Sequence, residues 1–170
     1  MNVYFHTFGC RANQYDTEVV RQAFTEQGAV VVDDPAAADL TVINSCTVTH
    51  ESETKLRRFV RHVSRTSRAE TIVMGCAAAL DNGAIAALPS VRAVVGGADP
   101  EAVLLAAGLR AQVGRVLPRQ TRHRALLKIQ DGCDEHCTFC ATTLARGANR
   151  SRTVTERFAR RRWHEAQIAR

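Results

Sequence analysis

No apolar run in this sequence approaches the ~20 residues that a membrane-spanning helix needs, because Arg, Asp or Glu interrupts every Ala- and Val-rich stretch. The opening Met1-Asn2-Val3-Tyr4-Phe5-His6 lacks the basic start and long apolar centre of a secretory signal. Repeats at solenoid periods and low-complexity tracts are also missing. These absences argue against membrane attachment and export, and point to a cytoplasmic protein. In that compartment thiols stay reduced, so the six cysteines read as metal ligands or catalysts rather than as disulfides. With 170 residues, 45% of them hydrophobic and 24% charged, the chain can bury one good core and part of a second.

Net charge is also missing from most of the chain. Residues 1–145 carry 15 Lys/Arg against 15 Asp/Glu. The whole formal +6 falls in residues 146–170, where Arg146, Arg150, Arg152, Arg157, Arg160, Arg161, Arg162 and Arg170 outweigh Glu156 and Glu165. Such a basic end is either a phosphate-binding surface or a solvated tail. Only Phe158 and Trp163 accompany it, which is too few aromatics for a base-stacking platform.

Short β-prone runs alternate with amphipathic segments. Strands are expected at residues 3–8, 29–32, 40–44, 71–74 and 91–95, with helices at 13–27, 49–67, 77–88 and 100–108. This alternation predicts right-handed βαβ units, hence an α/β domain with an open parallel sheet and flanking helices, flavodoxin-like in character, over residues 1–110. Residues 111–123, with Gly114, Pro118 and scattered Arg, read as a linker. A second unit, 124–170, starts with a strand at Leu126-Leu127-Lys128-Ile129, and a helix is expected from Thr153 to Arg160.

Three cysteines share one local context. Phe8-Gly9-Cys10, Asn44-Ser45-Cys46 and Met74-Gly75-Cys76 each stand just beyond the carboxyl end of a predicted strand. In a parallel sheet all three thiols emerge on one edge, where open α/β sheets place their ligands. Helices following them aim their amino ends at the same crevice, which favours thiolate charge. Three convergent thiolates can hold a [4Fe–4S] cluster, or a Cys₃ zinc ion with a fourth ligand. Taken singly, each is more readily a buried thiol of the core.

A second group lies in Asp131-Gly132-Cys133-Asp134-Glu135-His136-Cys137-Thr138-Phe139-Cys140, with the spacing C-x3-C-x2-C. Three ligands on a tight loop can bind three irons of a [4Fe–4S] cluster and leave the fourth open for a small molecule. The spacing, with Phe139 just before the last Cys and a strand upstream, resembles the cysteine loop of radical S-adenosylmethionine enzymes. Zinc would call on His136 as a fourth ligand from inside the loop, an awkward position. An exposed loop residue is the plainer reading of His136.

Together the two groups resemble the radical S-adenosylmethionine methylthiotransferase family. The matching stretches are Thr7 to Glu18, Ile43 to Thr49, Met74-Gly75-Cys76, Val94-Val95-Gly96 and Lys128 to Cys133, with the loop closing at Ala145-Arg146-Gly147. Asn13-Gln14-Tyr15-Asp16 after the first Cys, and Cys46-Thr47-Val48-Thr49, are similar to the MtaB-type branch. That branch modifies N6-threonylcarbamoyladenosine at tRNA position 37. The resemblance implies two [4Fe–4S] clusters, an auxiliary one on Cys10, Cys46 and Cys76 and a radical-generating one on Cys133, Cys137 and Cys140 with Phe139 beside it. It also implies S-adenosylmethionine as cofactor, tRNA as partner and an electron donor such as a flavodoxin or ferredoxin. Asn13 and Asp16 would shape the auxiliary site or, more plainly, cap a helix. About 45 residues follow Leu126, whereas a barrel of the implied kind takes on the order of 200. The expectation is therefore the first strand and cluster loop of a truncated radical-SAM partial barrel, inactive on its own. The rival readings are a non-catalytic iron–sulfur fragment and an RNA-binding fragment.

Overall fold

In the computed structural model, which describes residues 1–111, 126–135 and 137–168, Val3, Leu40, Val42, Ile72 and Met74 point to one face of a sheet and Ile43 and Val73 to the other. The sheet has five parallel strands: β1 (Asn2–Thr7), β2 (Val30–Val32), β3 (Leu40–Ser45), β4 (Glu70–Gly75) and β5 (Val91–Gly96), in the order β2-β1-β3-β4-β5. Both faces are covered, as a parallel sheet requires. On one, helix α1 (Arg11–Glu26) contributes Val20, Ala23 and Phe24, and α4 (Pro100–Ala106) contributes Val103 and Leu104. On the other, α2 (His50–Thr66) contributes Leu56 and Val60, joined by Ile85 and Leu88 from the connection to β5. No helix among the described residues is long and apolar enough to cross a membrane.

The expected open sheet with flanking helices is present, with three local corrections. Helix α1 begins at Arg11, with Cys10 in the N-cap position, rather than at Asn13. The segment expected as a helix over 77–88 forms only one turn, α3 (Cys76–Ala79). Asp81 breaks the run: its carboxylate accepts the amides of Ile85 at 2.9 Å and Ala86 at 3.3 Å, which a continuous helix would give to its own carbonyls. The strand expected at Leu126–Ile129 is displaced to β6 (Gln130–Asp131), which pairs antiparallel with β7 (Arg150–Ser151).

Between β6 and β7 lie the cysteine loop and helix α5 (Thr142–Arg146). Beyond them α6 (Val154–Ile168) runs past Arg160, where the expected helix stopped. Its start is a capping box. The Thr153 amide donates to Glu156 Oε2 at 3.0 Å and the Glu156 amide donates to Thr153 Oγ1 at 3.3 Å. The linker prediction falls almost wholly, and His136 entirely, outside the described residues.

Candidate iron–sulfur site

The register places Thr7 opposite Asn44, Asn44 opposite Met74 and Ser45 opposite Gly75. Strands β1, β3 and β4 are therefore neighbours that end together, and Cys10, Cys46 and Cys76 follow their carboxyl ends on one edge. This edge adjoins the switch point between β1 and β3, where the chain reverses its direction of travel across the sheet. Only Cys10 heads a long helix. Cys46 lies four residues ahead of α2, whose N-cap is Thr49, and Cys76 opens the single turn of α3.

Asn13 is the hub of the edge. It is fully buried, and its Nδ2 donates to the carbonyls of Phe8 at 3.0 Å and Ser45 at 2.9 Å. Its Oδ1 faces two thiols, Cys10 Sγ at 3.7 Å and Cys76 Sγ at 3.9 Å. Beneath it, Asn44 Nδ2 donates to the Asn13 carbonyl at 2.8 Å and to Thr17 Oγ1 at 3.1 Å. Ser45 Oγ donates to the Met74 carbonyl at 2.6 Å and accepts the Ala78 amide at 3.1 Å. Asn13 thus ties the strand ends together, and the N-cap position of α1 falls to Cys10. These buried hydrogen bonds fix the strand ends against one another.

Two glycines keep this edge open. A Cβ on Gly9, whose φ is +96°, would lie 2.6 Å from Cys46 Cβ and 2.7 Å from its Sγ. Gly75 is more confined still, with 2.2 Å to Asn44 Oδ1. Cys46 and Cys76 are buried and Cys10 is exposed. Burial pushes the Cys76 thiol up, as do the neighbouring Cys46 and Cys10, while Arg146 pulls it the other way.

That arginine comes from the second unit. Arg146 Nη2 donates to Asn13 Oδ1 at 2.6 Å and to Asp16 Oδ2 at 3.0 Å, and Nη1 donates to Asp131 Oδ1 at 2.8 Å. Lys128 Nζ joins the same two carboxylates, at 2.7 Å from Asp16 Oδ1 and 2.8 Å from Asp131 Oδ2. Asp16, like Asn13, therefore docks the second unit rather than capping α1. The network closes one side of a cavity of about 600 Å³ bounded by Gly75, Cys76, Gly96, Gly97, Asp131 and Arg146.

Burial alone would raise the Asp131 carboxyl, but hydrogen bonds from Lys128 and Arg146 overcome it and hold it at about 2, below its ordinary 3.8. A depressed carboxyl stabilises the docked state above its unfolded value, and that stability is lost as pH falls through the folded value. The contribution is roughly 2 kcal/mol. Emission from Trp163, the single tryptophan, is expected to hold steady down to about pH 4 and change between pH 4 and 2. Asp131→Asn should abolish that step. A step that persists in the variant would assign it elsewhere.

The second cysteine group is held by its own loop. The Cys133 amide donates to the Gly147 carbonyl at 3.1 Å, and the Cys140 amide to the Cys137 carbonyl at 3.1 Å. The Thr142 side chain, and its amide 3.4 Å from Cys140 Sγ, hydrogen-bond the thiol and hold it below its ordinary value. Cys133 and Cys140 are partly buried, Cys137 is exposed and Phe139 is 91% exposed.

Part of the basic end is spent on contacts within the chain, which neither reading of its charge anticipated. Arg152 Nε donates to the Lys128 carbonyl at 3.0 Å, Arg157 Nε to the Arg152 carbonyl at 2.9 Å, and buried Arg160 to the Tyr15 hydroxyl. Arg161 pairs with Glu165 on the exposed face of α6. The signal for the Arg146 and Arg160 contacts was the presence of Tyr15 and Asp16, a hydroxyl and a carboxylate side by side behind the first cysteine.

Three thiols along one edge supply the donor type that an iron–sulfur cluster takes. Among the described residues no three His, Cys, Asp or Glu side chains are gathered tightly enough to enclose one metal ion.

The sequence signature of the uncharacterized protein family UPF0004 matches residues 2–96, more than half of the chain and the whole of the five-stranded sheet. The chain belongs to this family. Among curated proteins it is similar to the threonylcarbamoyladenosine tRNA methylthiotransferase MtaB of Bacillus subtilis, 39% identical over 91% of this chain and 38% of the relative. The same-named protein of Aquifex aeolicus is 33% identical over 89% of this chain and 42% of the relative. The tRNA-2-methylthio-N(6)-dimethylallyladenosine synthase of Fervidobacterium nodosum is 29% identical over 92% and 39%. The UPF0004 chain described here thus spans about two fifths of the length of these relatives. Its kinship with the methylthiotransferases, read from the cysteine motifs, holds.

Proposed function

We propose that this UPF0004 chain supplies the cluster-binding part of a radical S-adenosylmethionine methylthiotransferase that acts on N6-threonylcarbamoyladenosine at tRNA position 37. In this reading residues 1–110 and 124–170 are two units joined by 111–123. Cys10, Cys46 and Cys76 hold an auxiliary [4Fe–4S] cluster, and Cys133, Cys137 and Cys140 hold a second, with Phe139 beside its open iron. The observation that carries the reading is the gathering of Cys10, Cys46 and Cys76 at the carboxyl ends of three adjacent parallel strands, with the Cys10 and Cys76 thiols facing Asn13 Oδ1 and Arg146 bound to the same oxygen.

When bound, the clusters and S-adenosylmethionine supply the electron, the radical and the sulfur, with a flavodoxin or ferredoxin as the electron source. The residues of the chain do the rest. Asn13 and Asn44 hold the strand ends in register, Gly9 and Gly75 leave room at the thiols, and Asp16, Lys128, Asp131 and Arg146 fix one cysteine group over the other. The names of the two MtaB relatives support threonylcarbamoyladenosine as the substrate.

A chimera tests this reading. Residues 1–152 are placed in the Bacillus subtilis relative in exchange for its matching stretch, and tRNA from a strain lacking that relative is analysed by mass spectrometry. The chimera is expected to add the methylthio group to threonylcarbamoyladenosine, and to lose this activity at least a hundredfold with Cys10→Ala or Cys133→Ala. A chimera that loads iron yet leaves threonylcarbamoyladenosine unmodified would sink the assignment.

A further inference from the structure

Arg146 stands six residues beyond Cys140, yet it reaches the other cysteine group. Its guanidinium shares Asn13 Oδ1 with Cys10 Sγ and Cys76 Sγ, approaching that oxygen at 2.6 Å. Two carboxylates pin it there, Asp16 at 3.0 Å and Asp131 at 2.8 Å. Its side chain is only 13% exposed and Asp16 only 7%, so the charge acts with little screening by water. Neither carboxylate touches a thiol in any hydrogen bond found among the described residues, so the cation is the group turned toward the sulfurs.

We infer that Arg146 is the positioning residue that sets the reduction potential of the centre on Cys10, Cys46 and Cys76, reaching it from the opposite unit and held there by Asp16, Asp131 and Asn13. The inference rests on the reading of those cysteines as cluster ligands. Reduction adds one electron to a centre that is already anionic, so a fixed cation nearby favours the reduced form and raises the potential. The electron comes from the titrant, here dithionite. The same arginine belongs to the segment that carries Cys133, Cys137 and Cys140. Docking of that segment and tuning of the first centre are therefore one event.

The test uses the full chain with Cys133, Cys137 and Cys140 changed to Ala, so that a single cluster reports. The chain is reconstituted anaerobically and titrated with dithionite under electron paramagnetic resonance. Arg146→Met is expected to keep the iron content while the reduced-to-oxidised ratio at a fixed poise falls about tenfold, or about 59 mV for one electron. The effect is smaller than that of a bare charge because Asp16 and Asp131 offset part of the field. Arg146→Lys should restore most of the ratio. Arg146→Gln, which keeps hydrogen bonds but not charge, carries the test if the Met variant fails to hold iron.

The sign separates tuning from mere shielding. If Arg146 only kept water away, its loss would hydrate the more highly charged reduced form and the potential would rise. An unchanged or raised potential in the neutral variants overturns the inference and leaves the site reading intact. A parent chain that binds no iron at the first group overturns both.

Discussion

Alanine at Cys10, Cys46 and Cys76 together is expected to lower the iron bound after anaerobic reconstitution from about eight to about four per chain, with acid-labile sulfide falling in step. Alanine at Cys133, Cys137 and Cys140 should do the same, and changing all six should leave none. The two groups are separable because each is held by its own hydrogen bonds, the first by the strand ends around Asn13 and the second by the Gly147 and Cys137 carbonyls. Cys10 is exposed, so its truncation removes a ligand without opening a cavity, and Cys10→Ala alone should already empty or weaken the first site. Cys46 is only 4% exposed and packs beside Gly9, so Cys46→Ala adds a folding cost of about 1 kcal/mol to the loss of a ligand. Circular dichroism of the apo variants separates the two effects. Iron that stays near eight in the first triple variant, or stoichiometric zinc in place of iron, would end the two-cluster reading.

The sheet was legible because its strands are short apolar runs closed by Gly, Ser or Asp, and because Val, Ile and Leu alternate faces in a way that only a sheet covered on both sides demands. The first cysteine group was legible for the same reason: a cysteine just past each of three strands of a parallel sheet has nowhere to go but one edge. Contacts across the chain were not. Nothing in local pattern links Arg146 to Asn13, 133 residues apart, or Arg160 to Tyr15, 145 apart. The charge count offered the Arg-rich end only as a surface for phosphate or a solvated tail. Inward-facing arginines answer to buried carboxylates and hydroxyls on another element, which one-dimensional charge cannot reveal. Helix α6 was half legible: a helix was expected from Thr153 to Arg160, and its capping box at Thr153 and Glu156 is present, but its continuation to Ile168 was not foreseen.

Gly75→Ala is expected to destabilise the chain by roughly 3–5 kcal/mol and to empty the first site selectively. Gly75 has φ 97° and ψ −158°, a region reached almost solely by glycine. An added Cβ would stand 2.2 Å from Asn44 Oδ1 and 2.6 Å from the Ser45 carbonyl. Neither neighbour can step aside cheaply. Asn44 is locked by its bonds to the Asn13 carbonyl and Thr17, and Ser45 lies within β3, paired to β4. Gly75 itself is tied to Gly97 by two backbone hydrogen bonds, 2.6 Å and 3.3 Å long. Moving any of these shifts Cys46 and Cys76, the residues that follow Ser45 and Gly75. Urea unfolding of the apo chain gives the stability term, and iron content in the background of Cys133, Cys137 and Cys140 changed to Ala gives the site term. Gly96→Ala is the control on the same cavity, since its Cβ would find ordinary contact with Ala79 at 3.5 Å. It should cost under about 1 kcal/mol and leave iron unchanged. Equal tolerance of both substitutions would mean that the strand ends are looser than their hydrogen bonds imply, and that the thiols do not depend on this edge for their placement.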